Sequence, residues 1–95
     1  HKSAAKVFIL LDALFRNFVD GYTPGELAKA TGMTPPEITR FVLTLEEAGY
    51  AERIPETGRV RVSVSLARKA IQIMQSLDAA EQRIREITNR LLTKA

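Results

Sequence analysis

The chain has 95 residues, of which 45% are hydrophobic and 26% charged, a composition typical of one folded domain rather than a disordered segment. It contains no cysteine, and its one histidine is residue 1, so disulfides, zinc sites and most nucleophilic catalysis lack their usual residues. The net charge of +3 favours anionic partners without identifying one. We therefore expect a protein that is not an enzyme and that needs no cofactor or metal.

No segment of the sequence predicts a membrane span or an export signal. The longest apolar run, residues 7–11, is far shorter than a span and is followed by Asp12. The regions that make up a signal peptide are also missing. These features predict a cytoplasmic protein without a membrane partner.

The first predicted helix begins at Ser3, which is expected to cap it, and its apolar residues recur at helical spacing as far as Phe18. Asp20 and Gly21 end the pattern. The apolar stripe is so wide that we expect this helix to be covered on more than one side.

Two capping boxes follow, eleven residues apart. The first, TPGE at 23–26, opens a short helix, and the second, TPPE at 34–37, opens a helix over residues 35–48. Gly32 suits the tight turn between them. Together they predict a helix-turn-helix. The inner face of the second helix is predicted to be Ile38, Phe41, Val42 and Leu45.

The period changes after Gly49, where residues 50–54 and 59–64 predict two strands around a turn at 55–58. Strict alternation puts valines on one face of the second strand and basic or polar residues on the other. The predicted hairpin therefore has one buried and one solvated face. The buried set is Val60, Val62 and Val64, and the solvated set is Arg59, Arg61 and Ser63.

Ser65 is predicted to cap a C-terminal helix of about 28 residues, roughly 42 Å long. Its apolar residues step by four and three alternately, as in a coiled-coil seam. A second capping box at 78–81 leaves a break into two helices open, but the unbroken phase favours one. Ile71 and Met74 beside the seam are expected to pack on the chain's own body. The seam and the wide apolar stripe of the first helix predict a homodimer in which these two helices form the interface. The predicted interface residues of the C-terminal helix are Leu77, Ala80, Ile84, Ile87 and Leu91.

This order of elements resembles a winged helix-turn-helix domain, with Ala28, Gly32 and Ile38 at the spacing of that motif. The stretch EEAGYAER at 46–53, with PETGR at 55–59, is similar to the helix-to-wing segment of IclR-type regulators. The stretch RVSVSL at 61–66 is similar to the wing exit of MarR-type regulators. IclR-type proteins continue beyond this segment into an effector-binding domain. Because the resemblance lies in the helix-to-wing segment and not in such a domain, it leaves any small-molecule effector unknown.

The resemblance implies a mainly α fold with a small β-hairpin. Residues 1–65 would be a winged helix-turn-helix DNA-binding domain, and residues 66–95 an amphipathic, coiled-coil-like dimerisation helix. The implied function is sequence-specific binding of double-stranded DNA by a small dimeric transcriptional regulator. Helix 35–48 would enter the major groove, and the wing at 51–64 would lie on the backbone or in the minor groove.

Within this arrangement Arg40 is expected to bond a guanine, and Thr39 to contact a thymine methyl group or a phosphate. The helix N-terminus and the Thr34 hydroxyl would contact phosphate, and Arg59 is the wing residue most expected to reach DNA. A solvated face on which Arg40 pairs with a neighbouring glutamate is the competing interpretation. The predicted DNA-binding residues are Thr34, Pro35, Pro36, Thr39, Arg40, Thr44, Lys29, Arg53, Thr57, Gly58, Arg59 and Arg61.

The charge distribution keeps a second function open. Residues 21–49 carry two basic and four acidic residues, a net charge of −2, whereas residues 64–95 carry six basic and three acidic, a net charge of +3. A phosphate-binding surface is expected to be basic. Either the glutamates point away from DNA, or this winged helix is a protein–protein interaction module in a larger assembly.

Overall fold

The computed structural model describes residues 2–94, which form four helices and one two-stranded hairpin. This confirms the expected mainly α fold, a winged helix-turn-helix followed by a long C-terminal helix. The elements in chain order are α1 (Lys2–Leu14), α2 (Pro24–Thr31), α3 (Pro35–Glu47), β1 (Ala51–Arg53), β2 (Val60–Val62) and α4 (Val64–Leu92).

Both predicted capping boxes form and begin the two helices of the helix-turn-helix. At α2, the Thr23 hydroxyl accepts the Glu26 N–H at 3.1 Å, and the Glu26 carboxylate accepts the Thr23 N–H at 2.8 Å. The same reciprocal pair opens α3. Gly32 closes α2 in a left-handed conformation, with φ at 72°, and donates its N–H to the Ala28 carbonyl. The predicted helix over 35–48 is thereby confirmed to within one residue, with Ala48 as its C-cap.

The core lies between α1, α2, α3 and the hairpin. All four residues predicted for the inner face of α3 are buried. α1 contributes Leu10, Ala13 and Leu14, a narrower face than the wide stripe predicted for it. Burying side chains of this size is the main stabilising term of the fold, at about 1.5–3 kcal/mol for each large one. The other buried core residues are Leu27, Met33, Ala51, Val60 and Val62.

Two expectations for α1 are wrong. Ser3 lies inside the helix rather than at its cap, and the helix ends at Leu14, four residues before Phe18. The Asn17 side chain accepts the Asp20 N–H at 3.1 Å, a local bond that competes with helical continuation. The outer side of α1 is uncovered in this chain, with Phe8 63% exposed.

The hairpin is antiparallel, with Ala51 opposite Val62 and Arg53 opposite Val60. A third segment, not predicted from the sequence, pairs with it: Tyr22 and Val60 exchange two backbone hydrogen bonds of 2.8 Å. Gly21 beside it has φ at 65°, and a Cβ there would lie 2.4 Å from the Val60 carbonyl oxygen. Glycine is required at this position because the two backbones approach so closely.

Ser63, not Ser65, caps α4, so the predicted solvated position of Ser63 and the strand position of Val64 are both wrong. The Ser63 hydroxyl accepts the Leu66 N–H at 3.0 Å and donates to the Gly49 carbonyl at 2.7 Å, and the residue is buried. The Val64 N–H donates to the Glu52 carboxylate at 3.0 Å. These bonds fix the start of α4 against the hairpin.

α4 is one continuous helix of 29 residues, as favoured from the seam, and spans about 43 Å. No residue of it is buried within the described chain, and only its first turns approach the core, through Leu66. The expectation that Ile71 and Met74 pack on the body is wrong, because both are more than half exposed. Over residues 2–94, no helix combines the length and the apolar character that crossing a membrane requires.

Candidate nucleic-acid interface

The outward face of α3 is exposed along its whole length. Because an α-helix repeats every 3.6 residues, the outward residues recur at intervals of three and four and share one side. This side is opposite the four buried residues of α3, which fix its orientation. The exposed residues are Pro35, Pro36, Thr39, Arg40, Leu43, Thr44 and Glu47.

Arg40 is the basic residue of this face. Its guanidinium lies 4.9 Å from the centre of the Phe41 ring, a cation–π contact that supports the side chain without consuming its hydrogen-bond donors. Among residues 2–94, no carboxylate lies within ion-pair distance of it. The competing interpretation, in which Arg40 pairs with Glu37 or Glu47, therefore does not describe this structure.

Two threonines of the same face have their hydroxyl protons engaged. Thr39 donates to the Pro35 carbonyl and Thr44 to the Arg40 carbonyl, each at 3.1 Å. Their oxygens remain acceptors, and their methyl groups suit apolar contact such as a thymine methyl offers.

The N-terminus of α3 has few free donors, contrary to the expectation of a phosphate contact there. Pro35 and Pro36 have no N–H, and the Glu37 N–H donates to the Thr34 hydroxyl at 3.3 Å. The Thr34 N–H and hydroxyl both donate to the Glu37 carboxylate. The Thr34 and Glu37 amides and the Thr34 hydroxyl are therefore already engaged within the capping box, which leaves few donors at this end of α3 for an anion.

The backbone amides at the hairpin tip are also engaged in hydrogen bonds within the chain. The Thr57 and Gly58 N–H groups both donate to the Ile54 carbonyl, at 3.2 and 2.7 Å. The Thr57 hydroxyl accepts the Arg59 N–H at 3.2 Å. Both tip residues are exposed, but they present carbonyl groups and side chains rather than free amides.

Two of the three hairpin arginines are bonded within the chain. Arg59 donates to the Asp20 and Gly21 carbonyls and pairs with Glu26 at 2.6 Å. Arg61 donates from two nitrogens to one oxygen of Glu52, at 2.9 and 2.8 Å. It also lies over the Phe18 ring, 5.2 Å from its centre.

Arg53 is the most exposed of the three, at 47% of its side chain. Its nearest carboxylate, that of Glu46, is 3.8 Å away. Its hydrogen bond to the Gly58 carbonyl is long, at 3.4 Å. Lys29, late in α2, is exposed and lies near no carboxylate within the described residues.

Three of the four glutamates of the helix-turn-helix are paired with cations from elsewhere in the chain. Lys6 on α1 forms an ion pair with Glu37, Arg59 with Glu26, and Arg53 more loosely with Glu46. The net charge of −2 over residues 21–49 is therefore offset where the chain folds. The role of Lys6 was not predicted from the sequence, since a residue 31 positions away from Glu37 gives no local signal.

These contacts also appear in the pKa values of the carboxyl groups. The Lys6 hydrogen bond, followed by the Thr34 backbone N–H, lowers the pKa of Glu37 to about 2. The Thr23 backbone N–H, followed by smaller effects including that of Arg59, lowers the pKa of Glu26. Both carboxylates are thus held charged and bonded to the fold.

Among the described residues, no three His, Cys, Asp or Glu side chains are grouped so that they could hold a metal ion. The face of α3 and the hairpin can instead offer guanidinium donors and methyl groups, and Lys29 on α2 adds an ammonium group. These are the groups that contact phosphates and base edges.

Comparisons with known proteins agree with this geometry. A family model described as the IclR helix-turn-helix domain matches residues 3–55. Among solved structures, the crystal structure of Pseudomonas aeruginosa HmgR is similar, with a TM-score of 0.68 and 21% identity. The match covers 80% of this chain and 31% of that chain, so this chain spans about a third of HmgR. No curated protein matched the chain.

Proposed function

The chain belongs to the family of IclR helix-turn-helix domains, and on that premise we propose that it binds double-stranded DNA in a sequence-specific manner. Such a domain implies DNA binding by a transcription regulator. In the proposed complex α3 enters the major groove and the hairpin lies along the backbone or the minor groove. The proposed role is binding without catalysis, in the cytoplasm where a prokaryotic chromosome lies.

One observation carries the proposal: the exposed face of α3 has a guanidinium, that of Arg40, without a carboxylate partner in the described chain. A free, supported guanidinium can donate two parallel hydrogen bonds to a guanine edge. Thr39 and Thr44 flank it with acceptor oxygens and methyl groups. Lys29 and Arg53 are the proposed phosphate contacts beside this face.

We also propose that the protein acts as a homodimer through α1 and α4. The seam residues Leu77, Ile84, Ile87 and Leu91 are all more than half exposed, as are Phe8 and Ile9 on α1. A monomer rarely leaves so many large apolar groups in water. A two-fold dimer would present two copies of α3 to half-sites about one DNA turn apart. The MarR-like character of residues 61–66, outside the matched range, stays a prediction.

The protein–protein module is the second candidate, and its motivation was the acidic helix-turn-helix. That motivation is weakened, because three of the four glutamates are paired with cations from α1 and the hairpin. The exposed apolar residues of α1 and α4 are compatible with either candidate. DNA binding is therefore the function to test first.

The decisive experiment is titration of the full chain with random duplex DNA between about 50 and 200 mM salt. A DNA-binding protein loses affinity linearly on a double-logarithmic plot, because bound phosphates release counterions. Negligible binding at the lowest salt, or affinity that does not fall as salt rises, would exclude the proposed function. Selection from a randomised duplex pool would then identify the preferred half-site.

A further inference from the structure

The three arginines of the hairpin differ in what their guanidinium groups already bind. Their side chains are 47% exposed at Arg53, 29% at Arg59 and 22% at Arg61. The sequence alone placed Arg59 first as a DNA contact because it follows the turn, whereas Arg53 is the most exposed of the three. Which arginine is available to contact DNA therefore depends more on what its guanidinium already binds than on its distance from the tip.

Arg59 joins three separate parts of the chain. Its Nε donates to the Asp20 carbonyl at 3.1 Å, and its Nη2 to the Gly21 carbonyl at 3.2 Å and the Glu26 carboxylate at 2.6 Å. It thus connects β2 to the loop before α2 and to the first turn of α2. For Arg59 to reach a phosphate, these bonds would have to be lost.

Arg53 is not held by comparable hydrogen bonds. Its contacts to Glu46 and Gly58 are 3.8 and 3.4 Å long, at or beyond the outer limit of a hydrogen bond. An exposed ion pair of this kind contributes little to stability. The guanidinium can therefore exchange it for a phosphate at small cost.

We propose that Arg59 is a positioning residue, which fixes the hairpin against the start of α2, and that Arg53 supplies the hairpin's phosphate contact. This inference rests on the proposed DNA binding and assigns the two arginines opposite roles within it. Arg59 acts on DNA only by holding β2 and the tip at a fixed height relative to α3.

The test compares the salt dependence of binding to one duplex for the wild type, Arg53→Ala and Arg59→Ala. Loss of a phosphate contact lowers the slope of log affinity against log salt by about 0.9. We expect that change for Arg53→Ala. Arg59→Ala should keep the wild-type slope and bind about fivefold more weakly at every salt concentration. This loss of affinity corresponds to the net contribution of about one hydrogen bond. Arg85→Ala, on the exposed surface of α4, is the control for removing one positive charge.

Glu26→Gln provides a test that does not depend on the stability of Arg59→Ala. Glutamine preserves the capping box but removes the charge that Arg59 binds. Electrostatics alone predicts tighter DNA binding when a negative charge is removed, whereas loss of positioning predicts binding about twofold weaker at an unchanged slope. Tighter binding by Glu26→Gln would overturn the role of Arg59.

Arg59→Lys adds a further discrimination, because lysine keeps the charge but has one nitrogen where Arg59 uses two. We expect it to bind DNA as weakly as Arg59→Ala. Full recovery of affinity by Arg59→Lys, or a lowered slope in Arg59→Ala with an unchanged slope in Arg53→Ala, would overturn the inference alone. Absence of salt-dependent binding by the wild type would instead overturn the proposed function and this inference together.

Discussion

The Lys6 ammonium and the Glu37 carboxylate form an ion pair that joins α1 to the first turn of α3. Glu37 also accepts the Thr34 N–H within the capping box. One carboxylate thus closes the start of α3 and holds it against α1. The orientation of α3, and with it the direction of its exposed face, depends in part on this contact.

Stability should depend on this carboxylate in acid. The pKa of Glu37 in the folded protein is about 2, below the ordinary value of 4.5. Its contribution to stability is therefore complete above about pH 4.5 and is lost as the pH falls towards 2. Urea unfolding of Glu37→Gln should show lower stability than the wild type near neutral pH, with the difference shrinking in that window.

The control is Glu47→Gln, which removes a carboxylate without an ion-pair partner among the described residues. Its unfolding should follow that of the wild type closely. A difference between wild type and Glu37→Gln that stays constant down to about pH 2 would contradict the assignment.

Arg40 should determine base preference. Replacing it with alanine should cost about 1–3 kcal/mol of binding to the selected half-site and relax the preference at one base position. Fluorescence anisotropy with the selected duplex and with single-base variants measures both effects. An equal loss on every duplex would show that Arg40 contacts phosphate rather than a base.

Gly21→Ala should destabilise the fold. The left-handed backbone alone costs about 1–2 kcal/mol for a residue with a Cβ, and the new atom would collide with the Val60 carbonyl. Gly32→Ala is the matched control, because Gly32 has a similar φ and open space around the position of a Cβ. Urea midpoints should fall further for Gly21→Ala, and equal midpoints would contradict the importance of the close approach.

Dimerisation should depend on the distal half of α4. Leu77→Asp with Ile84→Asp puts two charges in the exposed seam and should give a monomer in sedimentation at micromolar concentration, as should truncation after Ser76. Gln82→Asp, on the opposite side of α4 by helical geometry, should leave the mass unchanged. A wild-type chain that sediments as a monomer would refute the dimer directly.

Local patterns allowed the helix-turn-helix to be predicted well. Each capping box is complete within four residues, and the inner face of α3 repeats at helical spacing, so short stretches contain the whole signal. The pairing of Tyr22 with Val60 involves one residue on each side and leaves no periodic pattern to detect. The end of α1 was also missed, because its apolar stripe continues beyond the helix.

The candidate site was harder to predict than the fold. The α3 residues predicted to contact DNA are all exposed, since exposure follows from the buried face. The states of the charged groups were not, because Arg59 meets Glu26 across 33 residues and Lys6 meets Glu37 across 31. Summing charges along a segment treats the chain as a line, whereas electrostatic pairing depends on distances after folding.

The bonds of Ser63 and Glu52 at the start of α4 have a mechanical consequence. They fix the angle at which α4 leaves the hairpin, and the helix then extends for about 43 Å. A rotation of about 10° at this joint would displace the far end of the helix by about 7 Å, more than one helical turn. Small distortions where the hairpin meets α4 would therefore become large changes in the distance between the hairpin and anything bound at the far end of α4.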